Sequence, residues 1–140
     1  MATGEHVLRL SGDMAGFERG AEAVRSALDA CRVTGRARLW VELVFEEIVT
    51  NIVRHGYTDE RAHEIDVRLT CGAESIVLAV EDDGQPFDPL QRAEPTRPVS
   101  LEDVALGGLG IPLVRKAATG LRYERTADGK NRLTVTLPAT

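Results

Sequence analysis

The stretch that most constrains this chain is ELVFEEIVTNIVRHGY, from Glu42 to Tyr57. Together with Val41, the apolar residues Phe45, Ile48, Val49 and Ile52 recur at helical spacing and mark a stripe to be buried. The other side carries Glu47, Asn51 and Arg54, at offsets of four and seven residues, so the three stack on one helix face. His55 lies beside them, and Gly56 follows where the helix is expected to stop. Asparagine is a poor helix former, because its amide competes for backbone hydrogen bonds. Spacing alone reads this face as solvated. Only the rest of the chain gives it chemistry.

Before this helix, a short strand from His6 to Leu10 is closed by Ser11-Gly12-Asp13. Asp13 is placed to cap a helix from Met14 to about Val33. Phe17, Ala21, Val24, Ala27, Leu28 and Cys31 form its buried stripe, Gly35 marks its end, and Arg19 and Arg25 fall on the polar side. The second helix runs from Arg36 to His55. Two strands follow, Glu64 to Cys71 and Ser75 to Asp82. In the first, Ile65, Val67 and Leu69 alternate with Asp66, Arg68 and Thr70, the pattern of a half-exposed strand.

From Gly84 to Leu106 the pattern breaks, with Pro86, Pro89, Pro95 and Pro98 punctuating a polar stretch. A loop of this length inside a compact domain is usually functional or mobile. Gly107-Gly108-Leu109-Gly110 then leads into a helix, with Pro112 suited to its first turn, that continues to Thr119-Gly120. The end reads as a hairpin, Leu121 to Thr126 and Arg132 to Leu137, turning at Asp128-Gly129. Without repeat, linker or low-complexity tract, residues 1–140 are expected to form one domain.

Composition excludes several classes of function. A net charge of -5 and a pI near 5.2 argue against non-specific nucleic-acid binding, which needs a basic footprint. No stretch approaches the length of a membrane span. The start, MATGEHVLRL, lacks the charged leader and apolar run of a signal peptide. Cys31 and Cys71 show no metal-like spacing, so free thiols in a reducing compartment, and a cytoplasmic protein, are expected.

Two further pieces bear on chemistry. In VEDDGQPF, the alternation of Ile76, Leu78 and Val80 puts Asp82 on an apolar face, where an unpaired carboxylate is unfavourable. Either Asp82 bends into solvent at a turn, or it accepts a hydrogen bond from an amino group on a flat ligand above the sheet. The loop GGLG offers free backbone N–H groups and a helix dipole to an anion, although an ordinary helix start explains it as well. Its spacing matches neither a Walker loop nor a dinucleotide fingerprint. There is no His and Cys metal cage and no defensible Ser-His-Asp arrangement.

In this order the pieces resemble the GHKL superfamily of ATP-binding domains, shared by gyrase, histidine kinases and MutL. EEIVTNIVRHGY is similar to its N box, VEDDGQPF to its first glycine box and GGLGIPLVRK to its second. The closest branch is that of bacterial anti-sigma factor serine kinases and their stand-alone relatives, and the resemblance covers about Val7 to Leu137. It implies an α/β fold, a two-layer sandwich with helices on one face of a mixed, mainly antiparallel sheet. ATP would lie between helices and sheet, under a lid of about 84–106.

The resemblance also implies roles. Asn51 would hold Mg²⁺ against the phosphates, and Glu47 would act as general base toward an incoming hydroxyl or water. Asp82 would bond the adenine amino group, and Gly84 would give the ring room. The loop of Gly107, Gly108, Leu109 and Gly110 would approach the phosphates, with Arg54 among the nucleotide-binding residues. The residue types suit this chemistry: an amide oxygen is a hard donor for Mg²⁺, and a carboxylate one turn away can take a nucleophile's proton. Arg19 resembles an arginine that some anti-sigma factors use to touch both competing partners.

Two positions depart from the family pattern. Pro86 replaces the second glycine of the first box, and Leu106 stands where some kinase members carry an arginine facing the phosphates. Charge neutralisation would then fall to Mg²⁺, backbone N–H groups, or Arg92, Arg97 or Lys116. The expected function is an ATP-binding regulator of the anti-sigma factor type that phosphorylates serine or threonine on a small antagonist protein. Its partners would be that antagonist and a sigma factor or other effector, with a homodimer in keeping with the family. The alternative is a non-catalytic module whose shape is set by bound nucleotide. Retained Glu47 favours the enzyme, and the missing arginine favours the module.

Overall fold

The computed structural model describes residues 3–57, 59–86, 88 and 110–140. Strand β1 (Gly4–Ser11) leads into helices α1 (Met14–Ala30) and α2 (Gly35–His55). Strands β2 (Glu64–Cys71) and β3 (Ser75–Asp82) follow. Helix α3 (Gly110–Ala117) and strands β4 (Gly120–Arg125) and β5 (Asn131–Pro138) complete the order. The sheet order is β1-β2-β3-β5-β4. Every pairing among the described residues is antiparallel, so the sheet expected to be mixed and mainly antiparallel is antiparallel throughout them.

Alternation builds the two layers. Ile65, Val67 and Leu69 of β2, Ile76, Leu78 and Val80 of β3, and Leu133, Val135 and Leu137 of β5 are buried on one face. Against them packs the α2 stripe of Val41, Val44, Phe45, Ile48 and Val49. α2 touches α1 on one side and α3 on the other. The opposite sheet face is polar and carries ion pairs such as Arg132 with Glu81 at 3.2 Å and Glu124 at 3.1 Å. Such pairs, partly open to solvent, contribute little stability each.

Asp13 caps α1 as expected, its Oδ1 accepting from the Gly16 N–H at 2.7 Å. The other end of α1 differs. The helix stops at Ala30, three residues before the expected Val33, and Gly35 opens α2 instead of closing α1. The turn is made by Arg32, at φ 58, with Val33 N–H bonded to Leu28 O and Arg32 N–H to Asp29 O. This is the left-handed C-terminal motif that usually takes glycine. Val33 and Leu28, the positions at which this motif usually carries apolar residues, are both fully buried.

The two cysteines also correct an expectation. Cys31 and Cys71 are not free thiols but a disulfide, with Cα atoms 6.4 Å apart across a separation of 40 residues. The inference of a reducing compartment, insofar as it rested on free thiols, falls with it. Among the described residues, no helix is long and apolar enough to cross a membrane.

Candidate functional site

The C-terminal half of α2 stands over the end of the sheet where β3, β5 and β4 lie side by side, and a cleft opens between them. Ile48, Asn51, Ile52 and His55 of α2, with Gly56 that caps it, form one wall. Val80 and Asp82 of β3, Gln85, and Tyr123, Asn131 and Leu133 of β4 and β5 form the floor, and Ile111 in the first turn of α3 closes one side. A mostly apolar cleft with a few convergent polar groups is suited to a flat ligand carrying polar edges.

Asp82 does not bend into solvent. It is buried, 6% exposed, and its Oδ1 accepts from the Gly84 N–H at 2.9 Å and from the Asn131 amide at 3.1 Å. Burial pushes its pKa up, and the bonds from Asn131 and Gly84 work against that rise. Both bonds go to one oxygen, so the other keeps its accepting capacity for a ligand. Gly84 is required here: a Cβ would lie 2.4 Å from Gly56 O and 2.8 Å from Asp82 Oδ1.

Sequence reasoning missed Asn131. It is buried and stands directly opposite Asp82 in the β3–β5 register. Its amide nitrogen also donates to Gln85 O at 2.9 Å, while its oxygen accepts from the Tyr123 hydroxyl and from Arg125 Nη1 at 3.1 Å. Arg125 donates in turn to Gly84 O at 3.0 Å. The signal was available: the alternation of Leu133, Val135 and Leu137, carried back one step, turns Asn131 toward the core.

Asn51 lies on the cleft wall. Glu47, one turn earlier, is half-buried. Burial and the neighbouring Glu46 raise its pKa, and Arg54 lowers it. Neither Glu47 nor Arg54 is on the wall of the cleft formed by the described residues, and Arg54 is exposed. Gly110 is the first residue of α3, whereas Gly107, Gly108 and Leu109 fall outside the described residues, as do Arg92, Arg97, Leu106 and most of the expected lid. Arg19 is exposed on α1, its Nη2 donating to Ser11 Oγ at 2.7 Å.

Residues 15–137 match the family described as the histidine kinase-like ATPase domain. The chain belongs to that family. Among its relatives is the serine/threonine-protein kinase BtrW of Bordetella bronchiseptica, 34% identical over 105 residues that make up 75% of this chain and 73% of that one. The anti-sigma F factor of Clostridium novyi is 27% identical over 66% of this chain and 65% of its own length. The serine-protein kinase RsbW of Bacillus velezensis is 30% identical over 53% of this chain and 49% of its own. Within the histidine kinase-like ATPase family, these relatives mark the anti-sigma factor and serine-kinase branch. Family membership implies ATP binding, and Asn51 and Asp82 both line the cleft.

Proposed function

We propose that this chain is an ATP-dependent kinase of the anti-sigma factor type. It binds ATP in the cleft and transfers the γ-phosphate to a serine or threonine of a small antagonist protein. Binding to that antagonist competes with binding to a sigma factor or other effector. The observation that carries the nucleotide reading is Asp82, a buried carboxylate fixed through one oxygen at the floor of an apolar cleft. A carboxylate so placed suits the exocyclic amino group of adenine, and the apolar walls suit its faces.

In this reading Asn51 holds Mg²⁺, which neutralises phosphate charge when bound. The donor set fits. Mg²⁺ keeps several waters and takes few protein ligands beside substrate phosphates, and a single amide oxygen on the cleft wall meets that need. Among the described residues no group of three or more His, Cys, Asp or Glu side chains competes as a ready-made cage. Glu47 takes the proton of the attacking hydroxyl as its oxygen bonds to the γ-phosphorus and the bridging oxygen leaves with ADP. A carboxylate whose pKa is raised by burial is a better base than an exposed one. Gly107, Gly108, Leu109 and Gly110 supply backbone N–H groups to the phosphates, and Arg54 adds positive charge nearby. Arg19 contacts the protein partners. In this reading the protein meets such partners in the cytoplasm, and a homodimer is in keeping with the family resemblance.

Capture from the source cell with and without Mg-ATP, followed by incubation of captured proteins with ATP labelled in the γ-phosphate, tests the proposal. The expected result is a small protein that becomes labelled on serine or threonine, and an effector released when that protein is added. Partners that bind with nucleotide but never accept phosphate would replace the kinase by the nucleotide-gated module.

A further inference from the structure

Asp82 and Gln85 line the floor of the cleft, and the segment Asp82-Asp83-Gly84-Gln85 that carries them is tied down on both sides. From the sheet, Asn131 holds Asp82 and Gln85, and Arg125 holds Gly84. From α2, Gly56 O accepts from the Gln85 N–H at 3.1 Å, and His55 O accepts from Gln85 Nε2 at 3.2 Å. One more tie comes from the connection between α2 and β2, through His63. Its Nδ1 is 2.9 Å from Asp83 Oδ1, and its Nε2 is 2.6 Å from Asp59 Oδ1. The His63 side chain is only 7% exposed, and its ring stacks on Tyr57 with centroids 3.9 Å apart and planes 9° from parallel. Its carbonyl accepts from the Gly12 N–H at 2.8 Å, where a Cβ on Gly12 would lie 2.9 Å from the Tyr57 ring.

With a carboxylate at each nitrogen, the ring makes both bonds as a donor only when it is imidazolium. A neutral ring donates from one nitrogen and turns a lone pair toward the other carboxylate. The other ties are backbone groups, the amides of Asn131 and Gln85, and an arginine, none of which changes charge near neutral pH. Histidine does.

We propose that His63 is a proton-dependent positioning residue for the nucleotide cleft: as imidazolium it clasps Asp83 and Asp59 together and so holds Asp82 and Gly84 in their nucleotide-binding geometry. The proposal rests on the nucleotide reading above. Asp59 and Asp83 supply the charges acting on the ring, with Arg61 pairing to Asp59 at 3.4 Å from the outside. Tyr57, against the ring face, is kept neutral by burial and by Asp82 and Asp83. The bond to Asp59 is the first cause that raises the His63 pKa above its ordinary value, and the bond and charge of Asp83 add to it. The clasp is therefore complete below the ordinary histidine value and lost as pH rises through the raised one.

ADP affinity of wild type and His63→Gln, measured by calorimetry from about pH 5.5 to about pH 8.5, tests this, together with the His63 ring titration followed by NMR with and without ADP. Phosphate ionisation and His55, on the cleft wall, are common to both proteins, so their difference isolates His63. Wild type is expected to lose affinity by about threefold or more with rising pH, beyond any change in the variant, and ADP is expected to raise the His63 pKa by linkage. Should His63→Gln fail to fold, the wild-type NMR titration decides alone. An identical pH profile in the variant, or a His63 pKa unmoved by ADP, overturns the proposal and leaves the nucleotide reading standing. Absence of ADP binding to wild type at every pH overturns both.

Discussion

Asn131 faces Asp82 across the β3–β5 pairing, and its amide nitrogen lies 3.1 Å from the Asp82 carboxylate. This contact makes a buried carboxylate tolerable in an apolar layer. It also fixes which oxygen is left for a ligand. Asn131→Ala should therefore weaken ADP binding and lower stability by about 1–3 kcal/mol, the usual range for buried polar groups left without a partner.

The same pair sets a pH response. Because the folded-state pKa of Asp82 is raised, the folded protein takes up this proton more readily than the unfolded chain, so stability is not lost here on acidification. What is lost is the charged acceptor. ADP affinity should fall as pH drops through a value above the ordinary aspartate range. In Asn131→Ala that fall should begin at higher pH, since one bond favouring the charged form has gone. Asp82→Asn should show no such limb and bind ATP more weakly by about 1.5–3 kcal/mol, the range for a charge-assisted bond. Calorimetric titrations across pH decide it, and equal ATP affinity in wild type and Asp82→Asn would take Asp82 out of the site.

Gly84→Ala places a methyl group 2.4 Å from Gly56 O, a contact between two backbone segments that neither can relieve by rotating a side chain. A destabilisation of about 1–3 kcal/mol is expected, as for overpacked positions. The displaced segment carries Asp82 with it, so nucleotide affinity should fall as well. Thermal unfolding and ADP titration on the same sample check both effects, and a variant matching wild type in each would contradict the close approach.

Glu47 and Asn51 separate chemistry from binding. Glu47→Gln should leave Mg-ATP affinity nearly intact and abolish phosphate transfer, because a neutral amide cannot take the hydroxyl proton. Asn51→Ala should weaken Mg-ATP more than metal-free nucleotide. Phosphorylation of a cognate antagonist by Glu47→Gln at the wild-type rate would remove Glu47 as the base.

Arg19→Ala should weaken binding of the antagonist and effector while leaving ATP affinity and thermal stability nearly unchanged. Its guanidinium is exposed on α1 and, among the described residues, hydrogen-bonds only to Ser11, so little of the described fold depends on it. A planar fork of this kind can bind a partner carboxylate through two parallel bonds. Affinities measured in Mg-ATP check this, and wild-type values for both partners would leave Arg19 a solvated side chain.

Local periodicity was enough to define most of the architecture. β2 and β3 run over the expected residues because alternation of apolar and polar side chains is a property of consecutive residues. The same holds for the α2 stripe and for the Asp13 cap, whose bond spans three residues. The three motifs in order were sufficient to reach the ATPase family. Tertiary structure decided what consecutive residues cannot encode. Asn131 meets Asp82 across 49 residues, His63 meets Asp83 across 20, and Cys31 pairs with Cys71 across 40. Arg32 takes a left-handed turn where glycine is the usual residue, and the fully buried Val33 follows it into the core. Each of these depends on how the layers pack, and packing brings together residues that the chain itself holds far apart.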